Sequence, residues 1–352
     1  MSVVNEKIDI KSLDIEELKE LLVSLGEKSF RAAQIFDWLH NKLVYDFDDM
    51  TNLSSSLRDK LKEIAYITDL KIEKELISTI DGTRKYLFGL YDDNIIESVL
   101  MRYEHGLSVC ISSQVGCRMG CRFCASTIDG LVRNLNPSEM LDQIYKIEKR
   151  VGERVGHIVI MGSGEPLDNF DNFIRFVKLI SDEKGQNLSR RNITVSTCGL
   201  VPKIYELADL DLKITLAASL HAPNDTIRRQ TMPIANKYSI DEILKACSYF
   251  LDKTGRRITF EYSLIKGVND SKENALELGR RVKPLGAHIN LIPVNPVKER
   301  DYEQSVRADI DTFKNTLEKE GVNATIRREM GRDISGACGQ LRRSYKNENC
   351  RS

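Results

Sequence analysis

Gly116-Cys117-Arg118-Met119-Gly120-Cys121-Arg122-Phe123-Cys124-Ala125-Ser126 places three cysteines at C-x3-C-x2-C spacing. Three thiolates on one short loop can hold three corners of a cubane iron–sulfur cluster, one iron each. The fourth iron then has no protein ligand, and an open coordination position is what separates reactive metal sites from closed structural ones. Gly116 and Gly120 suit a loop that wraps closely around an inorganic core. Phe123, just before the third cysteine, can shield such a core from water. A structural zinc site is the competing reading, but zinc modules usually bring two cysteine pairs or a cysteine pair with a histidine pair. The nearest histidine, His105, precedes the loop. Packed cysteines are a poorer explanation, because three within eight residues do not share one face of a helix or strand.

The surrounding pattern says what carries this loop. From about residue 107 strands and helices alternate. Strands are predicted at Leu107–Ser112, His157–Met161, Asn192–Thr197, Lys213–Leu220, Arg257–Ile265 and His288–Val294. A helix opens at Asn136-Pro137-Ser138-Glu139, with Asn as cap and Pro at the first position. A second runs to about Lys184 and stops at Gly185. Others fit near 201–209, 239–253, 271–283 and 303–319, with a last strand at 324–329. Regular alternation means parallel strands with helical crossovers. The fold class is therefore α/β, a partial (β/α)6 barrel whose site is built at the C-terminal ends of the strands. Along that rim fall the cysteine loop, Gly162-Ser163-Gly164-Glu165-Pro166, Ser196, Ser219-Leu220-His221 and Asn295.

The first 65 residues read as helices, with Asp14 and Glu17 as a capping box ahead of Leu18, Leu21, Leu22 and Leu25. Phe30, Ile35, Phe36 and Leu39 mark a second helix, and Ser54–Ile64 a third. Between 70 and 101 come three strands, with Asp81-Gly82 as a hairpin turn. The expected organisation is a helical accessory unit at 1–65, a small β extension at 66–104, the barrel at 105–335 and a terminal segment at 336–352. Every chemical motif lies beyond residue 95. The helical unit is thus assigned to substrate recognition rather than catalysis, and its deletion is expected to spare the chemistry of the barrel.

The chain has 352 residues, 41% of them hydrophobic, enough for a sizeable core. Eight cysteines in that length are not a disulfide scaffold, and neither a signal segment nor a long apolar run is present. A cytoplasmic protein without membrane contact is expected. Net charge is zero, but unevenly spread: residues 1–100 hold 13 basic and 20 acidic side chains, net −7, leaving +7 beyond. Arginine doublets at 190–191, 228–229, 256–257, 280–281, 327–328 and 342–343 could contact phosphates, or could be a solvated surface.

The cysteine spacing resembles the radical S-adenosylmethionine (radical SAM) superfamily. That resemblance implies a [4Fe-4S] cluster held by Cys117, Cys121 and Cys124, with SAM on the open iron and split by one electron into methionine and a 5′-deoxyadenosyl radical. Five further stretches narrow it: Cys110-Ile-Ser-Ser-Gln-Val-Gly-Cys117, Met161-Gly-Ser-Gly-Glu-Pro-Leu167, Ser219-Leu-His-Ala-Pro-Asn224, Met232-Pro-Ile234 and Ala337-Cys-Gly-Gln-Leu341. Together they resemble the RlmN family over nearly the whole chain. The resemblance implies methylation of carbon 2 of an adenine in the peptidyl transferase region of 23S rRNA, and in some members of an adenosine in tRNA. The related Cfr enzymes methylate carbon 8 of the same adenine. A zinc-containing RNA-binding module without catalysis remains the alternative from another class.

The same resemblance implies residue roles. Cys338 would carry the methyl group as S-methylcysteine, and Cys110 would resolve the adduct through a transient disulfide with Cys338. Glu97 would accept a proton. Gly164, Glu165, Ser196, Ser219, Leu220, His221 and Asn295 would touch SAM, two molecules of which are used per turnover. A flavodoxin- or ferredoxin-like electron donor and a monomeric state are also implied. Ser163 departs from relatives that carry Met there. Chemically the set is coherent: carbon 2 of adenine is electrophilic, so ordinary displacement from SAM cannot methylate it, whereas a thiolate can first take the methyl. Cys198 and Cys247 read as packed thiols and Cys350 as incidental.

Overall fold

The computed structural model describes residues 7–297 and 299–334. Cys338 and Cys350 lie outside the described residues. In chain order the elements are β1 (Ile8–Asp9), α1 (Ile15–Ser24), α2 (Arg31–His40), α3 (Ser55–Ile64), β2 (Ala65–Tyr66), β3 (Lys71–Ile77), β4 (Arg84–Gly89), β5 (Ile95–Tyr103) and β6 (Gly106–Cys110). A short hairpin of β7 (Gln114–Gly116) and β8 (Leu131–Asn134) follows, then α4 (Pro137–Val151), β9 (Val155–Ile160), α5 (Phe170–Ile180), β10 (Ile193–Thr197) and α6 (Val201–Asp209). The chain continues with β11 (Thr215–Ser219), α7 (Asp225–Thr231), α8 (Ile240–Thr254), β12 (Ile258–Leu264), α9 (Lys272–Val282), β13 (His288–Pro293), α10 (Arg307–Lys319) and β14 (Ala324–Ile326).

One ten-stranded sheet in the order β14-β13-β12-β11-β10-β9-β6-β5-β4-β3 organises the molecule. Its strands from β6 to β14 are parallel, each joined to the next by a helical crossover. This is the expected α/β barrel, opened at its edges, with the last expected strand, 324–329, formed over Ala324–Ile326 as the seventh parallel strand. The strands of the 66–104 extension belong to the same sheet, because β5 pairs antiparallel with β6 and continues through β4 to β3. The parallel strands are apolar on one face, where Ile193, Val195, Leu216, Ala218, Phe260, Ile289 and Leu291 are all buried, while Ser196, Ser219, Glu261 and Asn290 alternate onto the other.

Local signals explain most boundaries. Asp14 and Glu17 cap α1 reciprocally, as do Asn136 and Glu139 at α4 and Ser239 and Glu242 at α8. Gly152 and Gly255 end α4 and α8 in the left-handed conformation. The helix expected to reach Lys184 stops at Ile180. There the Ser181 hydroxyl bonds back to Val177, and the chain turns so that Gln186 can donate to the His40 carbonyl. Phe30, expected within the helical face of α2, is its exposed cap residue. The β7–β8 hairpin and α7 had no counterpart in the pattern, being three to seven residues long.

The N-terminal helices share the barrel's core. Leu18, Leu22, Ile35, Phe36 and Leu39 belong to one hydrophobic cluster with Met140, Phe173, Phe176 and the sheet residues. Polar ties reinforce this packing. Lys11, fully buried, bonds the Asp142 carboxylate on α4 at 2.7 Å, and Asp142 also accepts from Leu70 N–H at 2.7 Å. His40 Nδ1 and the Tyr145 hydroxyl share a 2.9 Å hydrogen bond. Deleting residues 1–65 would therefore strip one side of the core and leave Asp142 without its cation, contrary to the expectation that the barrel would be spared. At the other end, the β3–β4 turn clasps the last described segment: Ser78 Oγ, Thr79 N and Thr79 Oγ1 donate to Asp333 at 2.6, 2.9 and 3.1 Å, and Gly331 N donates to Asp81 at 3.0 Å.

Candidate active site

The cysteine loop hangs from the β7–β8 hairpin just past the C-terminal end of β6. Gly116 fixes its start: φ is +79°, and a Cβ there would stand 2.0 Å from the Gly130 carbonyl oxygen. That same oxygen accepts from Cys117 N at 2.9 Å and closes the loop. Inside, the Thr127 hydroxyl donates to the Cys121 and Cys124 carbonyls at 2.9 and 3.0 Å. Arg122 N donates to Thr231 O at 2.8 Å, seating the loop on the end of α7.

Cys117 and Cys121 are buried and Cys124 is partly so. Their surroundings are apolar: Cys121 packs with Cys198 and Met232, and Met119, Phe123 and Ile234 lie against them. Burial pushes the Cys117 thiol up to about 12 and raises those of Cys121 and Cys124. The negative charges of Cys117 and Cys124 contribute to the rise at Cys121, so the three sulfurs share one neighbourhood. Thiols held this way ionise when a metal cation offsets the cost. Among the described residues no three His, Cys, Asp or Glu side chains converge closely enough to share a single metal ion. Soft thiolates in an apolar pocket, each able to take a different iron, fit a cluster rather than a mononuclear zinc site.

The rim beside the loop is stiff. Gly164 has φ +110°, and a Cβ there would meet Gln114 Cβ and N and Ser113 Oγ, each at 2.7 Å. Glu165, 3% exposed, accepts from Cys198 N at 2.7 Å and Leu167 N at 3.1 Å, strapping the end of β10 to the segment after β9. Burial raises its carboxyl pKa against those two N–H donors. Ser163 is buried, and its hydroxyl oxygen has no hydrogen-bond partner among the described residues. The Ser196 and Ser219 hydroxyls lie 3.4 Å apart across β10 and β11, both partly exposed toward the rim. Leu220 is fully buried, so any polar contact it offers comes from its backbone; its N–H already donates to Glu261 O at 3.1 Å. His221 is buried and holds a left-handed φ of +52°. Its Nδ1 accepts from Ser263 N at 2.9 Å, and Phe123 of the cysteine loop meets its ring edge-on at 5.0 Å. Burial lowers its pKa to about 3, so the ring is neutral with its proton on Nε2. Asn295 follows β13 at the same rim and is exposed.

Glu97 and Cys110 come together on the other flank. Lys85, Val99 and Cys110 are cross-strand partners in one row over β4, β5 and β6, and Glu97 lies two residues along β5 on the same face. Glu97 is 4% exposed and pairs with the fully buried Lys85 ammonium at 3.2 Å. Ser112 Oγ donates to the Glu97 carbonyl and accepts from Ser163 N, joining this flank to the rim. Burial raises the Cys110 thiol pKa. Lys85 was missed in sequence; its one signal is a lysine directly ahead of the apolar run Tyr86-Leu87-Phe88 on the same strand. Glu261 was missed likewise. It is buried on β12, in register between Ser219 and Asn290, and accepts from Asn290 Nδ2 at 3.0 Å.

Comparisons with known proteins agree with this geometry. Residues 8–67 match the family model of the ribosomal RNA large subunit methyltransferase N-terminal domain, and residues 111–279 match the radical SAM superfamily. The chain is 63% identical over 337 residues to the probable dual-specificity RNA methyltransferase RlmN of Lachnospira eligens, covering 96% of each chain. It is 60% identical to the corresponding protein of Alkaliphilus oremlandii, covering 97% of this chain and 99% of that one. Among solved structures, a radical SAM methyltransferase from Sphaerobacter thermophilus superposes with a TM-score of 0.90 at 43% identity, over 95% of this chain and 98% of that one. With two family models in sequence order and full-length relatives at this identity, the chain belongs to the RlmN family and is a radical SAM methyltransferase.

Proposed function

We propose that this enzyme methylates carbon 2 of an adenine in the peptidyl transferase region of 23S rRNA, and an adenosine of tRNA as well, through an S-methylcysteine on Cys338. The carrying observation is the buried Cys117–Cys121–Cys124 loop standing at the same rim as the Glu97–Cys110 flank, in a chain whose full-length relatives bear the name dual-specificity RNA methyltransferase. When bound, the [4Fe-4S] cluster and two molecules of SAM per turnover supply the methyl group and the carbon-centred radical that an electrophilic ring carbon requires.

The chain's own residues do the rest. Cys117, Cys121 and Cys124 each hold one iron. Gly164 brings backbone close to the methionine end of SAM, while Glu165 keeps that backbone in place and offers a remaining lone pair to the ammonium. Ser196, Ser219, the Leu220 backbone, His221 Nε2–H and Asn295 provide hydrogen bonds for the ribose and carboxylate. Cys338 takes the methyl by displacement and presents it to the adenine. Glu97 receives the ring proton, with Lys85 balancing its charge. Once the adduct has given up its unpaired electron, the Cys110 thiolate attacks the Cys338 sulfur; the sulfur–methylene bond breaks, the methylene carbon takes up a proton to become the methyl group, and the base leaves as the disulfide forms. With its pKa raised, Cys110 stays a thiol rather than the reactive thiolate until that step. A flavodoxin- or ferredoxin-like protein would serve as electron donor in the cytoplasm.

Mass spectrometry of rRNA and tRNA from cells lacking and regaining the gene tests this. The expected result is 2-methyladenosine that disappears and returns in both RNAs. Appearance of 8-methyladenosine in its place would assign the Cfr-type chemistry, and a colourless, iron-free anaerobic preparation would refute the cluster.

A further inference from the structure

Arg228 is the largest fully buried side chain in the described structure, and it has no carboxylate partner there. Its donors go to backbone carbonyls alone: Nε to Leu220 at 3.2 Å, one terminal nitrogen to Tyr238 at 3.4 Å, the other to Cys198 at 2.7 Å and Ser219 at 3.3 Å. Burying a guanidinium this way is costly, since carbonyl dipoles do not cancel a full charge. The nearest anion on its own helix, Asp225, spends one oxygen on Ile240 N at 2.8 Å.

The position of the charge gives that cost a use. Arg228 sits on α7, whose last residue, Thr231, accepts from Arg122 of the cysteine loop, and whose following residue, Met232, packs against Cys121 and Cys198. Arg228 also donates to the carbonyl of Cys198, whose side chain packs directly against Cys121, so one residue separates the cation from the cluster ligand. Three thiolates around a four-iron core make a net negative assembly, which becomes more negative when it accepts an electron. A fixed cation in a water-poor pocket favours the reduced form over the oxidised one, and net charge and surroundings are among the factors that set the potential of such clusters.

We infer that Arg228 is a positioning residue whose buried, carboxylate-free charge raises the reduction potential of the cluster held by Cys117, Cys121 and Cys124, in addition to tying the ends of β10 and β11 together. The inference rests on the cluster reading given under the proposed function. It makes one arginine of the Arg228–Arg229 doublet an internal electrostatic device; Arg229, next to it, is exposed.

Three replacements separate charge from hydrogen bonding. Arg228→Lys keeps the charge and some donors. Arg228→Gln keeps donors for the carbonyls and loses the charge. Arg228→Met loses both. Each full-length protein is reconstituted anaerobically, and iron content and the midpoint potential are measured by electron paramagnetic resonance redox titration. The Lys protein should stay near wild type. The Gln and Met proteins should shift the reduction equilibrium at least tenfold toward the oxidised form, about 59 mV lower for a one-electron couple. If the uncharged variants fail to retain iron while the Lys protein retains it, the sorting is again by charge and supports the inference. Should Lys sort with Gln and Met in either readout, or should Gln match wild type in both, the charge has no such role and Arg228 is a structural staple. Failure of the wild type itself to hold iron would instead refute the cluster reading.

Discussion

Replacing Gly116 by Ala should release iron although no cysteine is changed. The residue has φ +79°, and its Cβ would stand 2.0 Å from the Gly130 carbonyl oxygen and 3.1 Å from its carbon. Three costs combine. An L-residue in the left-handed region costs roughly 1–2 kcal/mol. Moving two backbone segments apart to seat the methyl adds about 1–3 kcal/mol. The Cys117 N to Gly130 O hydrogen bond that closes the loop is lost, at about 0.5–1.5 kcal/mol. Even the low end, about 2.5 kcal/mol, weakens retention of iron by more than about 50-fold at 1.4 kcal/mol per decade. The assay is anaerobic reconstitution followed by a chelator challenge, with iron per chain read against time. Gly130→Ala is the matched control: it lies in the same loop with φ +69° but has nothing within 4 Å of its Cβ, so it carries only the backbone cost. Equal retention by both variants, or wild-type retention by Gly116→Ala, would refute the steric closure of the loop as the element that positions Cys117.

Lys11→Met should destabilise the fold by about 3–5 kcal/mol in urea unfolding, because Asp142 is left buried without its cation; a Lys11→Met/Asp142→Leu pair recovering none of the loss would count against this. His40 has its pKa lowered to about 3 by complete burial, so the folded state keeps it neutral while the unfolded state charges below about 6.5. Its contribution is therefore full above about 6.5 and shrinks as pH falls toward 3, by about 1.4 kcal/mol per unit. The stability gap between wild type and His40→Gln should narrow over that window, and a gap independent of pH would refute the assignment. Cys110→Ala should accumulate a covalent protein–RNA adduct that ribonuclease trims, whereas Cys338→Ala should take up no methyl group; the reverse pattern would exchange the two roles.

What the sequence made legible is what depends on local order. The cysteine spacing, the alternation of strands with helices, the capping pair at Asp14 and the cap at Asn136 all act within a few residues, and the structure has them where the pattern puts them. What stayed hidden depends on distant partners. Arg228 and Arg229 look alike in a chain, and only the fold buries one and exposes the other. Lys11 reads as an ordinary surface lysine until Asp142, 131 residues away, is brought to it. Lys85, Glu261 and Asn290 are polar residues within strands of the sheet, and their meaning comes from cross-strand register, which no single strand specifies. The helical N-terminus looked detachable because its periodicity is self-consistent; its buried stripe is completed by α4 and α5.

The clasp between the β3–β4 turn and Asp333 sets a leash. Four residues lie between Asp333 and Cys338, so a fully extended chain carries the Cys338 Cα at most about 18 Å from that of Asp333. Confinement of this kind turns encounters with the rim into intramolecular events, at effective concentrations on the order of millimolar. The anchor is a hairpin tip, fixed by two aspartates that take no part in the chemistry. If Cys338 carries the methyl group as proposed, a loosened tip would dilute its thiol without altering a single reacting group, and the RNA would have to wait longer for it.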